Sequence, residues 1–599
     1  MGRTRCHTLG IGLLSVTITV IAGTLVTNDP SVVAGKTYDY VIVGGGLGGL
    51  TVANRLSEDP ATTVLVIEAG NDDRTNPLIY DIYQYTKAFH TSMDWSYPTD
   101  FGKSIRAGKT LGGSSSINGA TYTRGAKEQY DSWSQLLDPA DQGLGWDWDG
   151  LLAYMKKSEG FTPPTSAQEA IGANSVPAYH NSSGPVQVKF PDLMYGGPQQ
   201  PAFAQTMETL GLALSPDLNG GTPNSVSFTP NTLIPNSGDH RCSSAEAYIT
   251  PVEESRPNWT VLTGQQATQI LFSSTTTYSD LQVANEVQFG TVNGSSYSVD
   301  VAKEVIVAAG AIGSPALLQL SGIGSPSILS SLGIPVLVDL PQVGLNLQEQ
   351  TFVSTGAVGT NFSLGGSGPS NVIGYPNLYQ LFGSNSSSVV SHIQSSIPTW
   401  ASQLSTSAIS AIEWIATWSL VPVAEMFYDT GTPTIQIKTW YLLPFSRGNV
   451  SITTTDPFTL PKTNVNFFSA DIDLTMQIQV ERMARQAYLT PPLRNLSTGE
   501  SRPGFTVVPG NSSDTSYGST SDWQTWILNN FSTVSHPIAT CAMMSRSLGG
   551  VVDGKLRVYG TSNLRVVDAS VMPLQVSAHL SATLYGIAEK AADLIKSGV

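Results

Sequence analysis

The chain has 599 residues and a formal net charge of −15, and its basic residues form no cluster. This length argues for more than one domain and for a large buried core. The acidic balance argues against nucleic acid and anionic membranes as partners, because both attract basic proteins.

The first 27 residues have the pattern of a secretory signal peptide. Arg3 and Arg5 form a basic start, and residues 9–26 are mostly apolar. The cleavage site is indistinct, so a signal anchor is the alternative. We expect a secreted protein, extracellular or associated with the cell wall. Nine Asn-X-Ser/Thr sequons agree with secretion and predict N-glycosylation: Asn181, Asn258, Asn293, Asn361, Asn385, Asn449, Asn495, Asn511 and Asn530.

Only two cysteines lie beyond this leader, Cys242 and Cys541. They either form one disulfide or remain two buried free thiols, and the sequence leaves both open.

The segment from Tyr38 to Glu68 predicts a dinucleotide-binding unit. An apolar strand, Tyr38–Val43, leads into the G-x-G-x-x-G pattern of Gly44, Gly46 and Gly49, and a helical pattern and a second apolar strand follow. The glycines allow a tight turn, a close approach to a pyrophosphate and close helix–strand packing. Glu68 stands nineteen residues after Gly49, the spacing of a carboxylate that accepts from ribose hydroxyls.

Two further segments carry a family resemblance. Residues 106–119 are rich in Gly and Ser, and residues 310–324 begin Gly-Ala-Ile-Gly-Ser-Pro. They resemble the two signatures of the glucose–methanol–choline (GMC) oxidoreductases, nearest to the fungal glucose oxidases and FAD glucose dehydrogenases. Residues 343–348, with Leu345 where Glu is usual, and residues 443–448 resemble later elements of the family. The resemblance covers Tyr38 to the end of the chain.

This resemblance implies an α/β protein, with a Rossmann-like FAD-binding domain and a discontinuous α+β substrate-binding domain. We expect an N-terminal FAD-binding region over 38–350, substrate-domain loops over 351–440 and a C-terminal catalytic region over 441–595. The Pro/Gly-rich stretch 146–201 predicts irregular structure. The Ser/Gly-rich stretch 363–407 predicts long loops.

FAD is the expected cofactor, and no metal is expected. Some family members attach FAD covalently through a His in the first signature, where this chain has Ile117, so non-covalent FAD is expected. The expected cofactor-binding residues are Gly44, Gly46, Leu47, Gly48, Gly49, Glu68, Ser114, Asn118, Gly119, Thr121, Ala267, Asp568, Ala569 and Leu580.

Two histidines near the C-terminus are the expected catalytic residues. The resemblance implies that His536 is the base that takes the hydroxyl proton while hydride leaves for flavin N5. A solution pKa of about 6.5 suits that work. His579 precedes a stretch of helical periodicity, and the positive end of a helix disfavours imidazolium. It is expected to assist by hydrogen bonding or to take part in reoxidation.

Glucose is not the expected substrate. Glucose oxidases and dehydrogenases carry Arg four residues before the first active-site His and Asn two before it, and here these positions are Ser532 and Val534. A site that loses such hydroxyl-binding partners binds a sugar poorly. We expect a less polar alcohol, aromatic or furan-type, from specialised metabolism.

Other classes remain as alternatives. A non-redox cyclase is the main one, since one fungal relative, versicolorin B synthase, closes a ring by dehydration on this scaffold. A non-catalytic flavin-binding protein and a nicotinamide enzyme are disfavoured by the histidine pair and the two signatures. The expected partners are an alcohol and O2 or another electron acceptor. Oxidase or dehydrogenase activity and a homodimer are left open.

Overall fold

The computed structural model describes residues 26–273, 281–400, 421–430, 434–510 and 517–598. The predicted leader lies outside these ranges except for Val26–Thr27, which form an edge strand. No helix in these ranges is long and apolar enough to cross a membrane.

Two large sheets organise the described chain, one of eight strands and one of seven. Their strands, in chain order, are β1 Val26–Thr27, β2 Thr37–Val43, β3 Val64–Ile67, β4 Val226–Phe228, β5 Trp259–Leu262, β6 Gln266–Phe272, β7 Ala284–Gly290, β8 Ser296–Val307, β9 Thr351–Gly359, β10 Val372–Gly374, β11 Ala424–Thr430, β12 Thr434–Tyr441, β13 Ser497–Arg502, β14 Ser532–Thr533 and β15 Leu564–Val566.

The main helices are α1 Leu47–Leu56, α2 Lys127–Gln135, α3 Trp148–Ser158, α4 Gln199–Thr209, α5 Gly310–Leu320, α6 Ser386–Trp400, α7 Asp471–Leu489, α8 Thr520–Asn530 and α9 Ser581–Lys596. Shorter helices are Pro77–Tyr80, Ser166–Glu169, Ser244–Tyr248, Pro326–Ser331 and Leu378–Phe382. Small two-stranded sheets pair Tyr97–Pro98 with Ser104–Ile105, Glu159–Phe161 with Val186–Val188, and Ile323–Gly324 with Val338–Asp339. In a small three-stranded sheet, Gly448–Ser451 lies between Leu345–Leu347 and Lys462–Asn464.

The eight-stranded sheet is the predicted nucleotide-binding unit. Its strand order is β1-β5-β3-β2-β8-β7-β6, and β15 also pairs with β8. The strands β2, β3, β5, β8 and β15 are parallel, so their carboxyl ends meet at one edge. Each is buried over its last two or three residues, which explains the apolar ends of these strands in the sequence. The glycine turn, Glu68 and Asp568 all follow strands that end at this edge.

The seven-stranded antiparallel sheet has the order β13-β9-β12-β11-β10-β4, with β14 also paired to β9. Residues alternate along β12, so that Ile435, Ile437, Thr439 and Tyr441 are buried. Buried side chains of α7, such as Met476 and Val480, pack in the same core cluster as Ile435 and Ile437. The opposite, partly exposed face of the sheet carries Trp440, whose ring contacts His536 and His579.

Two expectations of irregular structure were incomplete. Residues 146–201 contain α3, which Asp147 caps by accepting a hydrogen bond from the Gly150 amide at 2.9 Å. Residues 363–407 contain α6, and residues 401–407 lie outside the described ranges. Both helices have a polar face rich in Ser, Lys or Asp, so their local composition resembles that of a loop.

The structure decides between the two alternatives for the cysteines, because Cys242 and Cys541 are buried free thiols.

A buried ionic cluster fixes the segment that follows the first signature. The Arg124 Nη2 donates to Glu159 Oε2 at 3.0 Å, and His180 contacts Glu159 Oε1 at 2.8 Å and Asp217 Oδ2 at 2.7 Å. The His180 ring also stacks on Phe161, with 3.8 Å between centroids. Burial lowers the pKa of His180, but its bonds to Asp217 and Glu159 outweigh this effect and the net shift is upward.

This cluster predicts a pH-dependent stability. Because the folded-state pKa of His180 is raised, its stabilising effect is complete below the unfolded pKa of about 6.5 and is lost as the pH rises through the folded value. We expect His180→Gln to lower the free energy of unfolding by about 3–5 kcal/mol near pH 5.5 and by less near pH 9. Denaturant unfolding at the two pH values measures this difference.

His392→Gln is the matched control, because His392 forms an exposed ion pair with Asp471 at 3.0 Å. It should change stability by less than about 1 kcal/mol. Equal losses for His180→Gln at both pH values would contradict the charged state of His180.

Candidate active site

The glycine turn between β2 and α1 is set by close backbone contacts. Gly44 has a φ of +105°, and a Cβ there would lie 2.3 Å from the Ala308 carbonyl oxygen. A Cβ on Gly49 would lie 2.0 Å from the Gly44 oxygen, and one on Gly48 would lie 2.2 Å from the Val567 oxygen. Side chains at these three positions would push apart α1, β8 and β15. These glycines are therefore required for packing.

Gly46 differs from its neighbours because it faces open space. The nearest atom to a Cβ built there is the Gly113 Cα, at 3.9 Å. Gly46 is the N-cap of α1 and provides no side-chain cap, so the first N–H groups of the helix, from Leu47 on, lack a side-chain acceptor. Free N–H groups at a helix N-terminus favour an anion such as a pyrophosphate.

A cavity of about 170 Å³ begins at this turn. Its walls come from the end of β2, the end of β3, the first signature, β6, the start of α5 and residues 452–461, which follow the strand Gly448–Ser451. Five of the predicted cofactor-binding residues line it: Gly44, Gly46, Glu68, Ser114 and Ala267.

Glu68 is almost fully buried at the wall of this cavity. Its Oε2 accepts from the Gly45 amide and its Oε1 from the Gly70 amide, both at 2.7 Å. Burial raises the pKa of Glu68 to about 7 in spite of these bonds. Each carboxylate oxygen can accept a further hydrogen bond, so Glu68 fits the ribose role that the fingerprint predicts.

Asp568 ties the end of β15 to the second signature. Its Oδ2 accepts from the Gly310 amide at 2.9 Å and from the Ser314 hydroxyl at 2.5 Å. Its Oδ1 accepts from the Ser570 amide at 2.8 Å, and the carbonyl of Ala569 accepts from the Ala539 amide. Burial raises the pKa of Asp568. The carboxylate thus holds the N-terminus of α5 in place at the cavity.

The remaining predicted residues lie between this cavity and α9. The Asn118 Oδ1 accepts from Arg241 at 2.7 Å and from the Ala120 amide at 3.0 Å, and its Nδ2 lies 3.4 Å from Ser581. A Cβ built on Gly119 would lie 3.5 Å from the Tyr85 ring. Thr121 forms a β-bridge with Asn231, and Leu580 is the buried N-cap of α9.

The two predicted catalytic histidines lie side by side. Their ring centroids are 5.8 Å apart and their planes are nearly perpendicular. The ring of Trp440 contacts both, with centroid distances of 5.7 Å to His536 and 4.9 Å to His579. The chain brings them together from different elements, since His536 follows β14 and His579 precedes α9.

Hydrogen bonds define the tautomer of His536. Gln350 donates its Nε2 hydrogen to the Leu442 carbonyl at 2.9 Å, so its Oε1 faces His536 Nδ1 at 2.9 Å. The proton therefore sits on Nδ1, and the Nε2 atom keeps its lone pair. Burial and the neighbouring His579 lower the pKa of His536 to about 3. The sequence suggested a value near that of free histidine, and burial overrides it.

The backbone before His536 is held by a buried carboxylate. Glu349 Oε1 accepts from the Ser535 amide at 2.8 Å and from the His536 amide at 3.1 Å. Ser535 has a φ of +70°, and its hydroxyl accepts from the Arg106 amide at 2.9 Å. These bonds hold a conformation that is unfavourable for serine.

His579 lies two residues before the first residue of α9, as its periodicity predicts. Its amide donates to the Thr123 hydroxyl at 2.9 Å, and its Nε2 lies 3.1 Å from Glu425 Oε1. Glu425 is fully buried on β11. A carboxylate oxygen accepts, so the Nε2 atom carries a hydrogen.

Sequence reasoning missed three residues of this site: Gln350, Glu425 and Trp440. Gln350 directly precedes β9, Glu425 lies on β11 and Trp440 lies on β12. The last two fall within 351–440, the range that was expected to form loops. The alternation of buried and polar residues over 434–441 was the available signal for β12. No local pattern identifies which of these side chains meets a histidine.

The comparisons with known proteins agree with this geometry. Family models described as GMC oxidoreductase match residues 38–352 and 444–588. The glucose oxidase-like protein fsoC of Humicola fuscoatra is 38% identical over 580 residues, which cover 93% of this chain and 95% of that protein. Glucose oxidase of Penicillium chrysogenum is 35% identical, with 95% and 93% covered.

Solved structures show the same relationship. An FAD-dependent oxidoreductase from Chaetomium thermophilum superposes with a TM-score of 0.83 at 28% identity, covering 94% of this chain and 99% of that one. A fungal aryl-alcohol oxidase gives a TM-score of 0.82 at 28% identity, with the same coverage. The chain belongs to the GMC oxidoreductase family and has its fold. Within the described residues, no cluster of His, Cys, Asp and Glu has the arrangement of a metal site.

The open space at Gly46 gives a direct test of the cavity. Gly46→Val should leave the fold intact, because no protein atom lies within 3.9 Å of the new Cβ, but should fill the approach to the N-terminus of α1. We expect at least a tenfold weaker retention of FAD with little change in melting temperature. The measurement is the FAD-to-protein ratio after gel filtration.

Gly143→Val is the control, because a Cβ at Gly143 meets nothing within 4 Å and lies away from the cavity. Full FAD retention by Gly46→Val would show that the cofactor does not pass this turn.

Proposed function

We propose that the protein oxidises an alcohol with FAD as its cofactor, and that His536 is the base. The observation that carries this proposal is the histidine pair, in which His536 presents an unprotonated Nε2 beside His579. When bound, FAD supplies the acceptor for the hydride that leaves the carbinol carbon. The electron acceptor that reoxidises it is O2 or another small molecule.

The low pKa of His536 suits a proton transfer that is coupled to hydride loss. A neutral imidazole at every working pH is always ready to accept a proton. It is too weak to ionise a free alcohol by itself, because its pKa is about 3. Protonation of Nε2 becomes favourable as the hydride leaves, since the departing hydride makes the hydroxyl strongly acidic. The Gln350 bond keeps the Nε2 atom as the acceptor throughout.

We propose that His579 orients the hydroxyl and that Glu425 holds the His579 ring in place. The Glu425 bond fixes one ring nitrogen, and the Thr123 bond fixes the backbone. The same side chain stands at the N-terminus of α9, where the helix dipole favours developing negative charge.

The proposed substrate is an aromatic or furan-type alcohol. Trp440 lies against both histidines, and Phe352 packs 6.4 Å from Trp440, so the walls beside the histidines are aromatic. Ser532 and Val534 provide neither the guanidinium nor the amide that would bind sugar hydroxyls. The similarity to an aryl-alcohol oxidase supports this choice, whereas the similarity to glucose oxidases supports only alcohol or sugar oxidation in general.

Anaerobic titration with alcohols tests this function. Benzylic and furfuryl alcohols should bleach the flavin absorbance, and glucose should do so at least tenfold more slowly, because its hydroxyls find no partners at Ser532 and Val534. Faster bleaching by glucose would overturn the proposed substrate. Turnover of a polyketide-type alcohol to a cyclic product without bleaching would support the cyclase alternative.

The role of His536 predicts a specific kinetic defect. His536→Ala should slow anaerobic flavin reduction by about 10²–10⁴-fold while FAD remains bound, since the nucleotide contacts lie around Gly44 and Glu68. In wild type, the rate of reduction should show no titration of His536 between pH 5 and 8, because the neutral base is lost only as the pH falls towards 3. Stopped-flow reduction across pH measures both effects.

His579→Ala is the matched variant, and it should also change reoxidation. A near wild-type rate of flavin reduction in His536→Ala would place the base elsewhere. So would a wild-type rate of flavin reduction that titrates near pH 6.5.

We propose that FAD is held without a covalent bond, because the apolar Ile117 stands where linked members of the family have His. Acid precipitation should release all of the flavin into the supernatant. A yellow pellet would contradict this proposal, and mass spectrometry of its peptides would then locate the bond.

We also propose secretion and N-glycosylation at exposed sequons. Asn293, Asn361, Asn385 and Asn495 are exposed. In contrast, the Asn258 amide donates to the carbonyls of Ser57, Asp59 and Thr62, so it is committed to the fold. Glycopeptide mapping should find Asn258 unmodified. The domain division at 350 and 440 and a homodimer remain predictions.

A further inference from the structure

The face of the seven-stranded sheet that carries Trp440 is arranged in rows. Across β9, β12 and β11, the register places Phe352, Trp440 and Glu425 side by side. This inner row contacts the histidines, because Trp440 packs on both rings and Glu425 bonds to His579.

The next row along the strands consists of Ser354, Lys438 and Phe427. Side chains two residues apart on a strand point the same way, so this row shares the face of Trp440 and lies about 7 Å further out at ~3.3 Å per residue. All three residues are partly exposed, unlike their buried neighbours Val353, Thr439 and Met426. The outermost row is Gly356, Gln436 and Asp429, and Gly356 contributes no side chain there.

Lys438 therefore places a cation on the sheet face of Trp440, one row further from the histidines. Its Nζ lies 2.7 Å from Asp429 Oδ2, and among the described residues Asp429 is its ion-pair partner. An ammonium group has three donors, so two remain for a further acceptor. Burial lowers the pKa of Lys438, but Asp429 and Tyr85 outweigh it and the net shift is upward, so the group stays charged.

Tyr85 links this row to the cofactor side. A Cβ built on Gly119 of the first signature would lie 3.5 Å from the Tyr85 ring, and Tyr85 contributes to the upward pKa shift of Lys438. Tyr85 is 41% exposed, so it lies at the protein surface. This sheet face thus runs from Trp440, which contacts both histidines, to the neighbouring row of Lys438 and Phe427.

We infer that Lys438 selects an aryl alcohol that carries a carboxylate on the side of its ring opposite the carbinol. This inference rests on the proposed alcohol oxidation. With the carbinol at the histidines, the ring lies along Trp440 and Phe427. The group across the ring then reaches the row of Lys438, since a para-substituted ring spans a length comparable to the row spacing. A carboxylate there receives charge-assisted hydrogen bonds.

The test compares two alcohols of similar shape, 4-(hydroxymethyl)benzoate and 4-isopropylbenzyl alcohol. Wild type should have a kcat/KM at least tenfold higher for the benzoate. Lys438→Met, which keeps the length of the side chain but removes the charge, should reduce this preference by about tenfold to a hundredfold, mainly through KM. Lys438→Arg should restore part of it. Asp429→Asn should increase it, because the competing carboxylate is removed.

Lys303→Met is the matched control, because Lys303 is also ion-paired, to Asp39 at 3.2 Å, but lies on β8 of the other sheet. Calorimetric binding of the non-oxidisable 4-methylbenzoate gives a second measurement, and Lys438→Met should weaken it by a similar factor. FAD content and melting temperature verify that each variant is folded.

The outcomes separate the two levels of inference. If aryl alcohols bleach the flavin but the preference is absent, or is the same in Lys438→Met as in wild type, the role of Lys438 is wrong and the alcohol oxidation stands. If neither alcohol nor any other bleaches the flavin of wild type, the proposed function fails, and the role of Lys438 fails with it.

Discussion

The site depends on the contact between backbone segments at the carboxyl edge of the eight-stranded sheet. Gly44 packs on Ala308, Gly48 on Val567 and Gly49 on Gly44, each closer than any side chain would allow. These contacts lock α1, β8 and β15 together, so the N-terminus of α1 has one fixed position. The second signature follows β8, and Asp568 follows β15. The same contacts therefore also set the distance between the glycine turn and the start of α5.

The two predicted catalytic histidines depend on the second sheet as well as on the first. His579 enters from the nucleotide-binding side, where α9 begins, and its partner Glu425 comes from β11 of the antiparallel sheet. His536 follows β14, a strand paired to β9, and its partner Gln350 directly precedes β9. The site thus lies at the junction of the two sheets. A shift of one sheet against the other would break the His579–Glu425 bond, whereas His536 and Gln350 belong to the same sheet and would move together.

The two histidines are chemically distinct because their surroundings differ. His536 bonds to a neutral amide and is buried, and its pKa falls to about 3. His579 bonds to a carboxylate. Two imidazoles in contact cannot both carry charge without repulsion, and the two bonds give the rings different partners. Further along the same sheet face, the inner row of Phe352, Trp440 and Glu425 is followed by Lys438 and Asp429, so an ion pair lies next to the residues that contact the histidines.

The sequence by itself determined the nucleotide-binding half of the protein. The glycine spacing, the two apolar strands and Glu68 are local patterns, and a local pattern specifies its own backbone because glycine conformation and strand burial act within a few residues. The positions of His536 and His579 in family motifs were also readable. Tertiary structure decided what surrounds these histidines. Gln350, Glu425, Trp440 and Lys438 reach the site through the register of β9, β11 and β12, and register depends on contacts between residues far apart in the chain. The pKa of His536 likewise depends on burial, which the sequence near a histidine does not fix.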